Sequence, residues 1–282
     1  MRPLILIPLL GCASAPNDDT GPPSETEPVT GYDVRYGLVP EGCPVPGETV
    51  EFTTEIRDQL GRPVPDLQQS HERMLHTLFV SQDLASFQHL HHEDHYEITA
   101  DDLRSATFHF PLSLPLGGSY RVVTDYAHQN VYQQNQGWIE ACGAPEMAAA
   151  PNPTFSTEAS VDDTHAALSW TVEPRVGALA QWTVTFTEAE GDDITDVVPW
   201  LGADAHAALV SADLAFTGHT HAWTGIDNMA PGMEMQHLYD GPDIAFQATF
   251  TQSGVHRMWV QFARSGAPES PITVPFWFEV AP

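Results

Sequence analysis

Fourteen of the 282 residues are histidines, and most stand in two groups. The first contains His71, His76, His89, His91, His92 and His95; the second contains His206, His219, His221 and His237. In an extended strand side chains alternate, so His89-Leu90-His91 and His219-Thr220-His221 each put two imidazoles on one face. A third histidine from a paired strand, His76 or His206, completes a triad on that face. Three converging imidazoles are a common ligand set for copper or zinc. Glu93 and Asp94 lie between His92 and His95 and supply further donors to the first group. The second group has a softer addition: Met229, Met233, Met235 and His237 fall in one Gly/Pro-containing polar stretch. Thioethers favour Cu(I) over harder ions. The expected ligands are therefore His76, His89 and His91 for one ion, with His92 and His95 as further candidate metal donors nearby, and His206, His219 and His221 for a second. Met229, Met233, Met235 and His237 offer a softer transfer site. Copper is the expected metal, with zinc as the second candidate. Ligation needs neutral imidazole, so affinity should fall below about pH 6.

The two groups belong to an internal repeat. Residues 76–91 and 206–221 align without gaps, and eight of the sixteen positions are identical: the three histidines and Val80, Ser81, Asp83, Leu84 and Ala85 against Val210, Ser211, Asp213, Leu214 and Ala215. Upstream, Thr49–Thr53 answers Thr183–Thr187; downstream, Gly118–Arg121 answers Gly254–Arg257. From its His-x-His to the matching phenylalanine, Phe110 or Phe246, the second copy is six residues longer, and the methionines occupy that extra length.

Each copy must position its histidines with β structure. Runs rich in branched and aromatic residues, bounded by Gly, Pro, Asp and Ser, mark strands at 49–56, 74–80, 107–112 and 120–126 in the first copy. In the second they fall at 167–172, 182–187, 205–210, 244–251, 255–262 and 273–280. No long segment has helical period. The expected fold is all-β, two tandem immunoglobulin-like sandwiches of the cupredoxin type, at 32–142 and 161–282 with a linker at 143–160. Most aromatic residues are core candidates, and Arg121, Arg257, Gly118 and Gly254 are expected to be structural.

The chain start reads as an export signal. Met1-Arg2 is followed by a short apolar run ending at Leu9-Leu10-Gly11-Cys12, too short to span a bilayer as a helix. This ending resembles a bacterial lipobox, which implies a signal peptide at 1–11, lipid on Cys12 and, with Ala13 following, sorting to the outer membrane. Residues 12–31 are polar and Pro-rich, the composition of a disordered tether. With Cys12 lipidated, Cys43 and Cys142 remain, and an oxidising compartment makes them a disulfide. It would close a loop of about a hundred residues, a constraint of about 4 kcal/mol. The net charge is −28 with no lysine, which repels nucleic acid and anionic lipid surfaces. Membrane contact is expected through the lipid anchor only.

The string His71-Glu-Arg-Met-Leu-His76, with Asp83-Leu84 and Phe87-Gln-His89-Leu-His91, resembles tandem His-motif secreted proteins of bacterial envelopes. Val198-Pro-Trp-Leu-Gly-Ala-Asp-Ala-His206 is similar to the segment leading into the same motif. The resemblance implies modules like copper- and heavy-metal-associated β-sandwiches. This chain departs from the pattern at His92, where proline is usual, and in its methionine stretch.

The leading expectation is a non-enzymatic lipoprotein of the cell envelope that binds copper for sequestration or transfer. Its partners would be the metal ion and envelope metal-transport or surface proteins. The alternative is a surface interaction, adhesion or scaffolding protein whose histidines are structural. A metal-dependent hydrolase ranks below both, because the chain has no nucleophile elbow, phosphate loop or His-Glu-x-x-His.

Overall fold

The computed structural model describes residues 31–143, 153–222 and 239–282. Cys12, the tether, Met229, Met233, Met235 and His237 lie outside them. The first copy contains β1 (Asp33–Val39), β2 (Thr49–Arg57), β3 (Leu67–Gln68), β4 (Leu75–Ser81), β5 (Phe87–Leu90), a 3-10 turn at His92–Asp94, α1 (Ala100–Ser105), β6 (Thr107–Ser113), β7 (Gly118–His128) and β8 (Val131–Ala141). The second contains β9 (Glu158–Val161), β10 (Thr164–Val172), β11 (Leu179–Glu188), β12 (Val197–Val198), β13 (His206–Ser211), β14 (Thr217–His221), β15 (Asp243–Thr249), β16 (Gly254–Arg264) and β17 (Ala267–Val280). β9 starts inside the stretch read from sequence as linker, and pairs with β10.

Each copy is a sandwich of two antiparallel sheets. In the first, β1-β2-β6 packs on β3-β7-β4-β5, with β8 alongside β7. In the second, β15-β11-β10-β9 packs on β12-β16-β13-β14, with β17 alongside β16. Alternation fills the cores: Phe52 and Phe110 of one sheet meet Phe79, Tyr120, Val122 and Ile139 of the other. Trp182, Phe186 and Phe246 likewise meet Leu209, Val260, Phe262 and Phe276. Cys43 and Cys142 are disulfide-bonded, tying the segment after β1 to the end of β8.

β4 and β13 are buried at every position, not at alternate ones. A strand buried on both faces has a second layer over it, and here that layer is the other copy. Phe79 points into its own sandwich, whereas Leu78 and Val80 point outward. Together with Leu84 and Val123 they pack on Ala208, Val210, Leu214 and Trp259 of the second copy. Phe87 stacks on Trp259 with ring centroids 4.9 Å apart and planes within 12°. Burying each such Leu or Val contributes about 1.5–3 kcal/mol. The two larger sheets thus meet face to face, and the stripe that carries this contact continues into the histidines.

Candidate metal centre

The hairpin between β4 and β5 sets the register of the first triad. The Ser81 hydroxyl donates to the Asp83 carboxylate at 2.6 Å, and the Ala85 amide donates to the same oxygen at 3.0 Å. Leu84 takes a left-handed backbone (φ 58°) and buries its side chain between the copies. The second copy repeats the device with Ser211, Asp213, Leu214 (φ 61°) and Ala215. The identities shared by the copies between the histidines are therefore turn chemistry. This turn pairs Leu78 with His89, and in the second copy Ala208 with His219 and His206 with His221. His76, Leu78 and Val80 share the outward face of β4; His206, Ala208 and Val210 share that of β13. Each triad therefore faces the other copy.

In the first triad His76 Nδ1 lies 3.2 Å from His89 Nε2 and 3.1 Å from His91 Nε2, and the last two are 3.0 Å apart. Three imidazoles at the usual metal–nitrogen distance of about 2.0–2.1 Å in tetrahedral directions stand about 3.3 Å from one another. The spacing fits one transition-metal ion. The remaining nitrogen of each ring donates outward. His76 Nε2 bonds the Ser70 carbonyl at 2.9 Å, His91 Nδ1 the Asp94 carboxylate at 2.7 Å and His89 Nδ1 the Gln261 amide oxygen at 2.9 Å. Gln261 is oriented by its own amide, which donates to Thr273 Oγ1. Such outward partners fix the tautomer that leaves the inner nitrogen as an electron-pair donor.

The second triad is built the same way. His206 Nδ1 lies 3.3 Å from His219 Nε2, and His221 offers a nitrogen within 4.8 Å of both. His206 Nε2 donates to the Trp200 carbonyl at 2.8 Å, and His219 Nδ1 to Asp125 at 3.1 Å. Ser70 and Trp200 occupy matching places in two-residue turns, Ser70–Arg73 and Trp200–Ala203, whose central residues all have positive φ. That is the backbone of a tight hairpin.

Burial, reinforced by neighbouring imidazoles, pushes the pKa values of His76, His89, His206 and His221 well below the ordinary histidine value. His91 is lowered by burial against the opposing pull of Asp94. Asp94, hydrogen-bonded by His91 and Arg73, is lowered to about 2 and stays ionised. These five histidines are therefore held toward the neutral form, the protonation state that binds metal.

His92 and His95 are not brought to either triad, a correction to the sequence reading. His92 is buried against Phe108, Tyr96 and His109; its Nδ1 accepts the His109 amide at 3.1 Å and its Nε2 meets the Glu97 carbonyl at 3.4 Å. Both nitrogens are committed to backbone. After His91 the chain leaves β5 for a 3-10 turn, so strand alternation ends, and His95 lies exposed beside Phe110 and Tyr96. Sequence reasoning also missed residues that the structure brings in. Asp125 and Gln261 each stand four residues beyond the matched arginines and pair across their strands with His76 and His206. Extending the repeat by that one step would have found them. His71 was part of the cluster but given no role; its ring centroid lies 3.9 Å from that of His221.

The chain resembles parts of much larger solved structures. It is similar to trypsin-activated alpha-2-macroglobulin from Escherichia coli, at 14% identity and a TM-score of 0.25 over 89% of this chain and 16% of that one. It is also similar to red sea bream transglutaminase, at 12% identity and a TM-score of 0.23 over 90% of this chain and 31% of that one. It spans less than a third of the length of either protein, and likenesses this weak do not bear on its function. No curated protein matches it in sequence. One family profile matches twice, at residues 27–143 and 159–282, each match carrying one complete triad. The chain therefore belongs to the family described as a domain of unknown function, DUF8832, of which it holds two copies.

Proposed function

We propose that the chain is a non-enzymatic lipoprotein of the cell envelope that binds transition-metal ions, copper foremost, for sequestration or transfer. The observation that carries this reading is the convergence of three imidazole nitrogens, 3.0–3.2 Å apart, whose rings all spend their N–H on outward acceptors. Neutral rings so arranged aim three lone pairs at one point, which is unfavourable unless a cation sits there. Nitrogen donors alone suit copper, zinc, nickel and iron, and copper binds such sites most tightly among the divalent first-row metals. The methionine stretch inclines the choice further to copper.

The test is metal retention. Cu(I), Cu(II) and Zn(II) are titrated separately, and bound equivalents are counted by elemental analysis after desalting. Two retained copper equivalents are expected, falling to one when His89 and His91 are replaced by alanine without loss of the folded circular-dichroism spectrum. Unchanged stoichiometry in that variant removes the ligand assignment. No retained metal at micromolar concentration would make the triads structural parts of the contact between copies, and an interaction or scaffolding role would replace this one.

A further inference from the structure

The two triads lie beside each other across the contact between copies. Rings within a triad have centroids 4.5–5.5 Å apart. Between triads, His89 lies 5.1 Å from His219 and 5.9 Å from His206, and His76 lies 5.7 Å from His219. The shortest spacing across the copy boundary falls within the range inside each set, whereas that between His76 and His206, 6.5 Å, exceeds it by about one ångström.

Each triad is also completed by the opposite copy. At the first, Gln261 of the second copy accepts from His89, and the Trp200 ring lies 5.6 Å from the His89 ring. At the second, Asp125 of the first copy accepts from His219. His71 of the first copy lies over His221, and His71 Nδ1 and His221 Nε2 are both buried without a hydrogen-bond partner. The exchange of acceptors is reciprocal: Asp125 and Gln261 hold matching strand positions.

We infer that the six histidines form one dinuclear centre across the contact between copies, its two ions close enough to share a small bridging anion. The inference rests on the metal-binding reading above. Two-metal sites hold their ions about 3.5–4 Å apart, a separation that imidazole rings with centroids 5.1 Å apart across the boundary can support. A three-histidine site leaves a coordination position open for such an anion. Charge points the same way. Two divalent ions bring four positive charges into a buried site, whereas the carboxylates touching ligand histidines are Asp94 and Asp125. Arg73 shares Asp94, which leaves the excess larger. A hydroxide held between the ions reduces their repulsion.

The test uses the full chain loaded with Cu(II) and desalted. Bound copper is measured by elemental analysis, unpaired spins by integrated electron paramagnetic resonance, and oxidation state by assaying the acid-released ion. The expected result is two Cu(II) per chain with spins accounting for only a small fraction of them, because a bridging hydroxide pairs the two electrons. Half-loaded chain and the His221→Ala chain should regain one spin per remaining isolated copper. Two Cu(II) with two full spins would overturn the shared centre while leaving two independent metal sites. One copper per chain would overturn it as well, making the six histidines a cage for a single ion. No retained copper removes this inference together with the reading beneath it.

Discussion

Acidification of the metal-free protein should destabilise it steeply, and the size of the effect follows from the triads. His76, His89 and His206 are buried and His221 is half-buried, with pKa values pushed well below the ordinary value by burial and then by their histidine neighbours. In the unfolded chain each returns to about 6.5. Because the folded values are depressed, the unfolded state binds more protons below that point. The stability these groups contribute is complete above about pH 6.5 and is lost as pH falls toward the folded values. At pH 5.5 a histidine kept neutral by folding costs about 1.4 kcal/mol, and the four together cost roughly 6 kcal/mol. That is a large share of the about 5–15 kcal/mol of a typical domain. His71, lowered to about 4 by burial and by His219, adds its share of the loss between about pH 6.5 and pH 4, and His91 adds to it as well. Guanidinium unfolding in the presence of chelator at pH 7.5 and pH 5.5 measures it. A difference under about 2 kcal/mol would refute the argument, because the histidines would then not be held neutral together. His89→Gln should shrink the difference by about one proton's share.

Three further outcomes separate the roles of neighbouring residues. Asp125→Asn keeps the shape but removes the charge that His219 donates to, and should weaken the second equivalent of metal by about 10–100-fold in competition titrations while sparing the first. His92→Ala removes a buried ring bonded to backbone at both nitrogens, so urea unfolding should show a loss of about 2–4 kcal/mol while metal stoichiometry stays unchanged. Leu78→Ala opens the apolar contact between copies next to both triads, and should cost about 2–5 kcal/mol by denaturant unfolding and lower affinity for both ions at once.

The strands that flank the histidines were readable because they alternate cleanly, with Phe52 and Phe110 inward and threonine or histidine outward. β8 was not, although it pairs with β7 along its whole length. Its sequence, Val-Tyr-Gln-Gln-Asn-Gln-Gly-Trp-Ile-Glu-Ala, buries polar side chains at inward positions, where Asn135 satisfies itself on the Tyr126 hydroxyl. Propensity sees only the polarity. The triads themselves were legible, since His-x-His and a partner strand define a face whatever the sheet order. Their mutual approach was also written in the sequence, but in the wrong place to attract notice. Leu75–Ser81 and Ala205–Ser211 lack the polar alternation of a solvent-facing strand, and Leu78, Val80, Ala208 and Val210 had to be covered by something. Since the same stripes carry His76 and His206, whatever covered the apolar half had to bring the two triads together.

Duplication then explains both the symmetry of the site and its departures from symmetry. Two sandwiches packing through equivalent faces give every contact a counterpart, so one favourable pairing of His89 with the opposite β16 brings a second, of His219 with the opposite β7. Once both copies lie in one chain, each partner is free to diverge. The position that accepts from the middle histidine is an amide oxygen at Gln261 and a carboxylate at Asp125. A carboxylate makes its imidazole a more basic donor than an amide does, so the half-site containing His219 holds its ion with the more electron-rich middle ligand. The turn position beside each triad has diverged too, to His71 in one copy and Leu201 in the other, so an extra imidazole packs most closely on His221. A homodimer of one copy is held to identical halves; a fused pair gives one half a carboxylate and a close neighbouring ring while the other keeps an amide.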